Sequence, residues 1–178
     1  MKISEFEHSK KDYQESFERF KTEYQLHEKW FARPDHIAIK CADEIDYAMT
    51  VQEWMPHADS DGLWEIGLDG RYLASGHLAN GLMVADIAFD WLEIMQPRPG
   101  REQEQGYVEH TEFIIDDFRV VWNGLVSRGV PNIDMQDNPG HKWINILIDE
   151  KRQIKFNDTS LEEITANERK HRKLQRIE

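Results

Sequence analysis

Two histidines occupy matching positions in two similar segments of this 178-residue chain. The segments are residues 35–41, DHIAIKC, and residues 109–115, EHTEFII. Both alternate as strands do, and successive side chains of a strand point to opposite faces. His36 therefore faces away from the more apolar side of its strand, as do His110 and Glu112 in theirs. Two imidazoles and a carboxylate suit a divalent metal, and this set is typical of ferrous oxygenases as well as of zinc, nickel or manganese sites.

Two later segments add polar groups to the same set. Residues 88–95 carry Trp91 and Glu93 opposite an apolar face, and residues 153–157 carry Lys155 in the same way. If all four strands pack their apolar faces on helices, their polar faces line one pocket. We expect Glu93 to be the third metal ligand and Trp91 to form a wall of the pocket. Lys155 would either hold an anionic substrate group, such as a carboxylate or an enolate, or neutralise a nearby carboxylate.

Glu112 has more than one expected role. It lies two residues from His110 on the same strand face, so it can act as a general base on a bound substrate. It could also replace Glu93 as the third ligand, or form a salt bridge to Lys40 or Lys155. As the catalytic residue, we expect Glu112 in preference to Glu93 to move the proton.

The elements that must position these residues follow one order twice: strand, helix, strand, strand, strand. The first copy has its predicted elements at residues 35–41, about 43–56, 63–68, 71–78 and 85–95, and the second at 107–115, about 117–128, 131–136, 142–149 and 153–157. Turns are predicted at Asp69-Gly70, Asn80-Gly81 and Asn138-Pro139-Gly140, and a polar loop over 96–106 connects the copies. One copy alone would leave a sheet edge exposed, so the repeat predicts two modules side by side.

Helices are predicted at both ends. Aromatic residues recur at helical spacing over residues 4–31, which favours an amphipathic helix whose stripe belongs to the core. Ser4 precedes Glu7 by three residues, as in a capping box, and Pro34 ends the helical pattern. Residues 160–175 form the second terminal helix, with Ser160 and Glu163 as its predicted capping box.

Composition excludes several classes of function. The net charge of −12 argues against sequence-independent nucleic-acid binding. A single cysteine, Cys41, rules out an internal disulfide framework and a thiolate-cluster zinc site. No apolar run approaches the roughly 20 residues of a membrane span, and the charged N-terminus is unlike a signal peptide. We therefore expect a cytoplasmic protein. Gly-rich phosphate loops and nucleophile motifs are absent from the sequence.

The doubled unit, with candidate ligands on its first and fourth strands, resembles the vicinal oxygen chelate superfamily of glyoxalase I, extradiol dioxygenases and bleomycin-resistance proteins. A more local resemblance is to the YecM family of that superfamily. It rests on blocks that occur in order, namely residues 35–37 (DHI), 97–100 (PRPG), 109–112 (EHTE), and 154–156 (IKF) followed by 160–164 (SLEEI).

The resemblance implies an α+β fold of two paired βαβββ modules that form a cup-shaped mixed sheet, with a metal between the modules. The implied division is an N-terminal helical extension over residues 1–33 and a glyoxalase-like domain over 34–178, whose parts are module 1 at about 34–96, module 2 at about 107–158 and the C-terminal helix.

The implied ligands are His36, His110 and Glu93. At the fourth ligand position of glyoxalases the chain has Lys155, which cannot bind a metal while protonated, and Asn157 stands where the family has a histidine. At most three ligands therefore remain.

Two classes of function follow from the resemblance. In the first, a zinc, iron, manganese or nickel ion chelates vicinal oxygens of a small substrate and stabilises an enolate or alkoxide; isomerase, lyase and dioxygenase activity are not separated by the sequence. In the second, the cup is a metal-free ligand-binding module of the bleomycin-resistance type. A third option is an interaction protein that forms a homodimer through its N-terminal helix.

Overall fold

A single mixed β-sheet runs through the chain, whose computed structural model describes residues 1–138, 141–171 and 173–177. The described helices are α1 (Ile3–Glu23), α2 (Glu44–Trp54), α3 (Phe118–Ser127) and α4 (Leu161–Lys170). The described strands are β1 (Pro34–Lys40), β2 (Trp64–Leu68), β3 (Arg71–Val84), β4 (Ile87–Met95), β5 (Tyr107–Ile114), β6 (Ile133–Asn138), β7 (His141–Leu147), β8 (Gln153–Asn157) and β9 (Gln175–Arg176). Short 3₁₀ turns cover Glu28–Phe31 and Met55–His57.

The two predicted βαβββ modules are both present and paired. The sheet order is β6-β7-β8-β5-β1-β4-β3-β2-β9, so each module contributes four neighbouring strands. Within the modules β1 pairs with β4 and β5 with β8 in parallel, and the modules meet through the antiparallel pair β1 and β5. The sheet is open. The predicted α+β fold with a mixed sheet is confirmed.

Helix α1 packs its aromatic stripe on one face of this sheet. Phe6, Tyr13, Phe17 and Phe20 are all buried, and the Phe17 ring stacks on Phe113 of β5 with centroids 6.3 Å apart. The stripe is thus part of the core, as its spacing indicates. The opposite face of the sheet carries the polar side chains of His36, His110 and Glu93, and we call it the cup.

The two predicted capping boxes differ in outcome. Helix α1 begins at Ile3, so the box predicted for Ser4 and Glu7 is wrong; instead, the Lys2 backbone N–H donates to Glu5 Oε2 at 2.8 Å. The box of α4 is confirmed, because the Glu163 N–H donates to Ser160 Oγ and the Ser160 N–H donates to the Glu163 carboxylate, both at 3.2 Å.

The predicted hairpin turns also differ in outcome. Asp69 and Gly70 form a turn with φ of 54° and 75°, as predicted. The turn predicted at Asn80-Gly81 is wrong, because β3 continues to Val84 and reverses at residues 85–86, where φ is 50° and 61°. Asn80 and Gly81 instead lie where the β3–β4 register shifts, since residues 77 and 82 pair with 91 and 89. An Asn-Gly pair marks such an irregularity as readily as a turn.

Other boundaries shift at the termini. The N-terminal helix ends at Glu23 and gives way to the 3₁₀ turn, and Pro34 is the first residue of β1. Helix α4 ends at Lys170, five residues before the predicted 175, and the unpredicted β9 then pairs with the edge of β2. The turn predicted at Asn138-Pro139-Gly140 falls at residues 139 and 140, outside the described residues. Within the described chain, no helix is both long and apolar enough to span a membrane.

Candidate metal centre

The two histidines lie at β-bulges in the strands that join the modules. Between β1 and β5, Pro34 pairs with Phe113 and Ile37 with Thr111, so β1 has one extra residue there. The second shift, where residues 38 and 39 pair with 110 and 108, gives β5 an extra residue. A bulge lets neighbouring side chains point to the same side of a sheet. This explains how each histidine shares the cup face with the acidic residue that precedes it.

The imidazoles meet at the centre of the cup, where the modules join. The Nε2 atoms of His36 and His110 are 3.3 Å apart, and both side chains are buried. Oε2 of Glu112 lies 3.8 Å from Nε2 of His36 and 3.9 Å from that of His110. The potential ligand atoms of these three residues all lie within 4.8 Å of one another.

Glu93, which projects from β4, lies near the same pair of rings. Its Oε2 atom is 3.9 Å from Nε2 of His36 and 4.0 Å from Nε2 of His110. The structure thus brings together both carboxylates that sequence reasoning proposes as the third ligand. They differ in their surroundings, since the side chain of Glu93 is 16% exposed and that of Glu112 only 6%. Glu112 also accepts a hydrogen bond from Nδ2 of Asn157, whereas Glu93 makes no such bond within the described chain.

Each histidine is held by the carboxylate immediately before it. Nδ1 of His36 lies 2.8 Å from Oδ2 of Asp35, and Nδ1 of His110 lies 3.1 Å from Oε2 of Glu109. A carboxylate on Nδ1 turns Nε2 toward a metal and raises the basicity of the ring, as is usual for histidine ligands. Sequence reasoning missed the roles of Asp35 and Glu109, although the repeated acid–histidine pair was the available signal.

These supporting carboxylates are themselves fixed. The backbone N–H of Leu161, at the start of α4, donates to Asp35 at 3.0 Å, where the helix dipole favours a negative charge. Glu109 forms an ion pair of 3.0 Å with Lys40. Burial would raise the pKa of Glu109, but its contacts with His110, Lys155 and Lys40 lower it well below the usual range. Both carboxylates are therefore held in place, and Glu109 is held as an anion.

The surrounding charges shift the pKa values of the two imidazoles in opposite directions. Burial lowers the pKa of His36, but the carboxylates of Glu112, Asp35 and Glu93 outweigh it and raise that pKa to about 9. Burial and the positive charge of Lys155 lower the pKa of His110 to about 3.

Burial also raises the pKa of Glu112, against the attraction of the His36 and Lys155 cations. The His36–Glu112 pair therefore retains a proton at neutral pH, and a protonated His36 can donate from Nε2 to His110.

Helix α1 contacts β5, the strand that carries His110 and Glu112, on the face opposite the cup. The Tyr13 hydroxyl accepts from the Thr111 N–H at 3.0 Å, contacts the Thr111 hydroxyl at 2.7 Å and donates to the Gln153 carbonyl at 2.7 Å. Thr111 stands between His110 and Glu112 with its side chain on the helix face. The N-terminal helix therefore fixes the backbone from which two cup residues project.

The two residues predicted to contact substrate lie in different cavities. Lys155 pairs with Glu112 in the β5–β8 register and lines a cavity of about 410 Å³ beside the cluster. Trp91 pairs with His36 between β4 and β1 but lines a separate cavity of about 290 Å³, where its ring contacts His77 with centroids 5.9 Å apart. Along β4, Glu93 lies between Trp91 and Met95, which line these two cavities.

The sequence matches the family model described as YecM protein over residues 3–155. The chain belongs to the YecM family. The match includes helix α1 as well as the strands that carry the histidines, and with the paired modules it confirms the resemblance predicted from the sequence. No curated protein matches this chain.

The fold also occurs in a solved structure. A structural-genomics protein designated EC4020 is 18% identical, covers 93% of this chain over 92% of its own, and superposes with a TM-score of 0.75. Methylmalonyl-CoA epimerase from Mycobacterium tuberculosis is 11% identical and covers 82% of this chain over 99% of its own, with a TM-score of 0.49. A mutant 4-hydroxymandelate synthase from Streptomyces coelicolor is 13% identical and covers 72% of this chain over 49% of its own, with a TM-score of 0.41.

Proposed function

We propose that this YecM-family protein binds one divalent metal ion through His36, His110 and Glu112 and uses it to act on a small oxygen-bearing substrate. The observation that carries the proposal is the convergence of two imidazole nitrogens and a carboxylate oxygen within 4.8 Å of one another. Ligands about 2.0–2.2 Å from one ion at tetrahedral angles lie about 3.3–3.6 Å apart. The separations in the cluster, 3.3, 3.8 and 3.9 Å, are close to those values.

The donor set fits zinc, iron, manganese or nickel better than a hard cation such as calcium. Imidazole nitrogen suits these transition metals, whereas calcium prefers oxygen ligands throughout. Asp35 and Glu109 supply the carboxylate support expected behind histidine ligands. When bound, the metal would supply a Lewis acid that polarises substrate oxygens.

We assign the two cup carboxylates the reverse of the roles expected from the sequence. Glu112 is the more buried, and the amide of Asn157 holds one of its oxygens, so the other is directed toward the imidazoles. Such a fixed oxygen suits a ligand. Glu93 is more exposed and has no hydrogen bond of this kind among the described residues, so its carboxylate is free to accept a proton from a substrate carbon or oxygen.

A metal-free binding module is the second candidate. The line of groups from Asp35 through His36 and His110 to Glu109 forms a complete hydrogen-bond chain when His36 carries a proton. The cluster is thus satisfied without an ion, and Lys155 adds a positive charge in place of a fourth ligand. This arrangement favours a cup that holds an anionic ligand by charge alone.

Metal content of the untagged chain distinguishes the two candidates. The wild-type protein is incubated with Mn²⁺, Fe²⁺, Co²⁺, Ni²⁺ or Zn²⁺ and passed through gel filtration, and its metal content is measured by elemental mass spectrometry. We expect about one metal ion per chain. Mutation of residues that only support the ligands lowers metal affinity about 10–100-fold. The variants His36→Ala, His110→Ala and Glu112→Gln remove a ligand itself, so each should lower metal affinity more than about 100-fold.

The matched controls are His77→Ala, a histidine on the same face outside the cluster, and Glu93→Gln, which should keep the metal. Wild type that retains none of these metals would refute the metal-dependent function and leave the binding module. If Glu93→Gln loses the metal and Glu112→Gln retains it, the roles of the two carboxylates are the reverse of those we assign. Circular dichroism of each variant checks that the fold is intact.

A further inference from the structure

The cavity of about 410 Å³ is lined by residues that neighbour the candidate metal cluster. Glu109, on the cavity wall, contacts His110 at 3.1 Å, and Lys155, on the same wall, is the register neighbour of Glu112. A ligand in the cavity would therefore lie directly beside the cluster. The volume falls within the range of small-molecule sites, about 300–1,000 Å³.

The charge of this cavity is opposite to that of the protein. The chain carries a net charge of −12, yet the cavity wall has five basic side chains and one acidic side chain. The basic residues are Lys40, Arg71, Arg98, Arg101 and Lys155, and the acidic one is Glu109. A concave site lined by one sign of charge concentrates ligands of the other sign.

Most of this positive charge has no carboxylate partner within the wall. Glu109 is already paired with Lys40 at 3.0 Å. Among the described residues, neither Lys155 nor Arg101 has a carboxylate within ion-pair distance. An anion in the cavity would therefore supply charge that the wall itself lacks.

Arg71 provides the most specific donor. It lies on β3 on the cup face, and its Nη1 atom donates to the Gln96 carbonyl at a long 3.4 Å. Its Nε atom is buried and has no hydrogen-bond partner within the described chain. A buried N–H without a partner is unfavourable, and a guanidinium offers parallel donors that match a carboxylate or phosphate.

The second cavity of the cup has the opposite character. Beside Trp91 and His77 it is lined by three carboxylates, those of Asp59, Asp61 and Glu162, against one guanidinium. The two ends of the cup therefore differ in charge, and an anion is favoured at only one of them.

We propose that the basic cavity binds the carboxylate or phosphate group of the substrate and places the adjoining oxygens at the cluster of His36, His110 and Glu112. This inference rests on the proposed function for the role of the cluster. Arg71 recognises the anionic group through its planar guanidinium, and Lys155 and Arg101 supply its remaining counter-charge. The substrate class is thus a small oxyanion-bearing molecule with oxygens next to the anionic group.

Calorimetric titration of the full chain with methyl phosphate and with malonate tests the proposal, in the metal-free and the manganese-loaded state. Glycerol serves as the uncharged control. The test variant is Arg71→Gln, and the matched control is Arg119→Gln, which removes the same charge from an exposed position on α3. Because Arg71 could affect folding, Arg101→Gln, at an exposed position of the 96–106 loop, is a second test variant.

We expect the wild-type protein to bind methyl phosphate, malonate or both. The anion that binds shows whether the cavity recognises a phosphate or a carboxylate group. Arg71→Gln should weaken that binding about tenfold, as loss of a charged hydrogen bond does. Arg101→Gln should weaken it less, Arg119→Gln should leave it unchanged, and manganese affinity should stay the same in all three.

Two results would overturn the inference while leaving the proposed function intact. They are manganese binding by wild type with no binding of either anion, and anion binding that neither Arg71→Gln nor Arg101→Gln weakens. Anion binding that Arg71→Gln weakens, in a chain that holds no metal, would keep the anion site and refute the metal-dependent function.

Discussion

The proton retained by the cluster predicts that metal affinity depends steeply on pH. A metal needs the free Nε2 atom of His36, so below a pKa of about 9 it must displace a proton. With that pKa, the apparent affinity rises about 90-fold between about pH 6 and pH 8, since the unprotonated fraction rises by that factor. A histidine of ordinary pKa would give a rise of only about fourfold over the same interval. His110, with its pKa of about 3, contributes nothing in this range.

Isothermal titration calorimetry with Mn²⁺ or Ni²⁺ measures this in two ways. The affinity is followed across the pH range, and the proton released is found from titrations in buffers of different ionisation enthalpy. We expect release of about one proton per metal at neutral pH, against about a quarter of a proton for a histidine of ordinary pKa.

Asp35→Asn is the matched variant, because an amide can still accept from Leu161 but does not stabilise the His36 cation. It should flatten the pH dependence and weaken the metal about tenfold. A wild-type affinity that rises by no more than about fourfold would refute the reasoning that the carboxylates around His36 hold a proton in the metal site.

Three further predictions concern the fold. Tyr13→Phe should destabilise the protein by about 1–3 kcal/mol in urea unfolding, because the buried Thr111 N–H loses its acceptor. Gly124→Ala should lower the free energy of unfolding by about 1–3 kcal/mol, since a Cβ there would lie 2.5 Å from the Trp30 ring. Burial would raise the pKa of Asp149, but hydrogen bonds from two backbone N–H groups and an arginine lower it to about 2. Its stabilising contribution is present above about pH 4 and lost as pH falls toward 2, so Asp149→Asn should reduce the acid sensitivity of the urea midpoint.

The sequence was sufficient to predict the two modules and the proximity of four polar residues, but not that Trp91 and Lys155 line separate cavities. Alternation in residues 35–41 and 109–115 predicts which side chains share the cup face, because the period of two is maintained along the ligand-bearing part of each strand. The duplicated order of elements then predicts that the first strands of the modules meet. His36, His110, Glu93 and Glu112 therefore converge as expected.

The supporting roles of Asp35 and Glu109 could not be predicted from the alternation of residues along the strands. Strict alternation places Glu109 opposite His110, and only the bulge between β5 and β1 turns both toward the cup. A bulge depends on the pairing of two distant strands, which a local pattern does not contain. The end of β3 is a similar case, since Asn80-Gly81 is locally a good turn but the pairing with β4 continues beyond it.

The two bulges make each histidine separable from the acid that supports it. The extra residue of a bulge has no partner on the opposite strand, so its removal restores regular pairing instead of reversing the strand. A deletion within residues 37–40 would move His36 to the helix side, whereas we expect deletion of Asp35 to leave the ring in the cup. The same holds for Glu109 and His110. Descendants of this duplicated module could therefore gain or lose a supporting carboxylate by a one-residue change in length, and so alter the proton affinity of a ligand without losing the ligand itself.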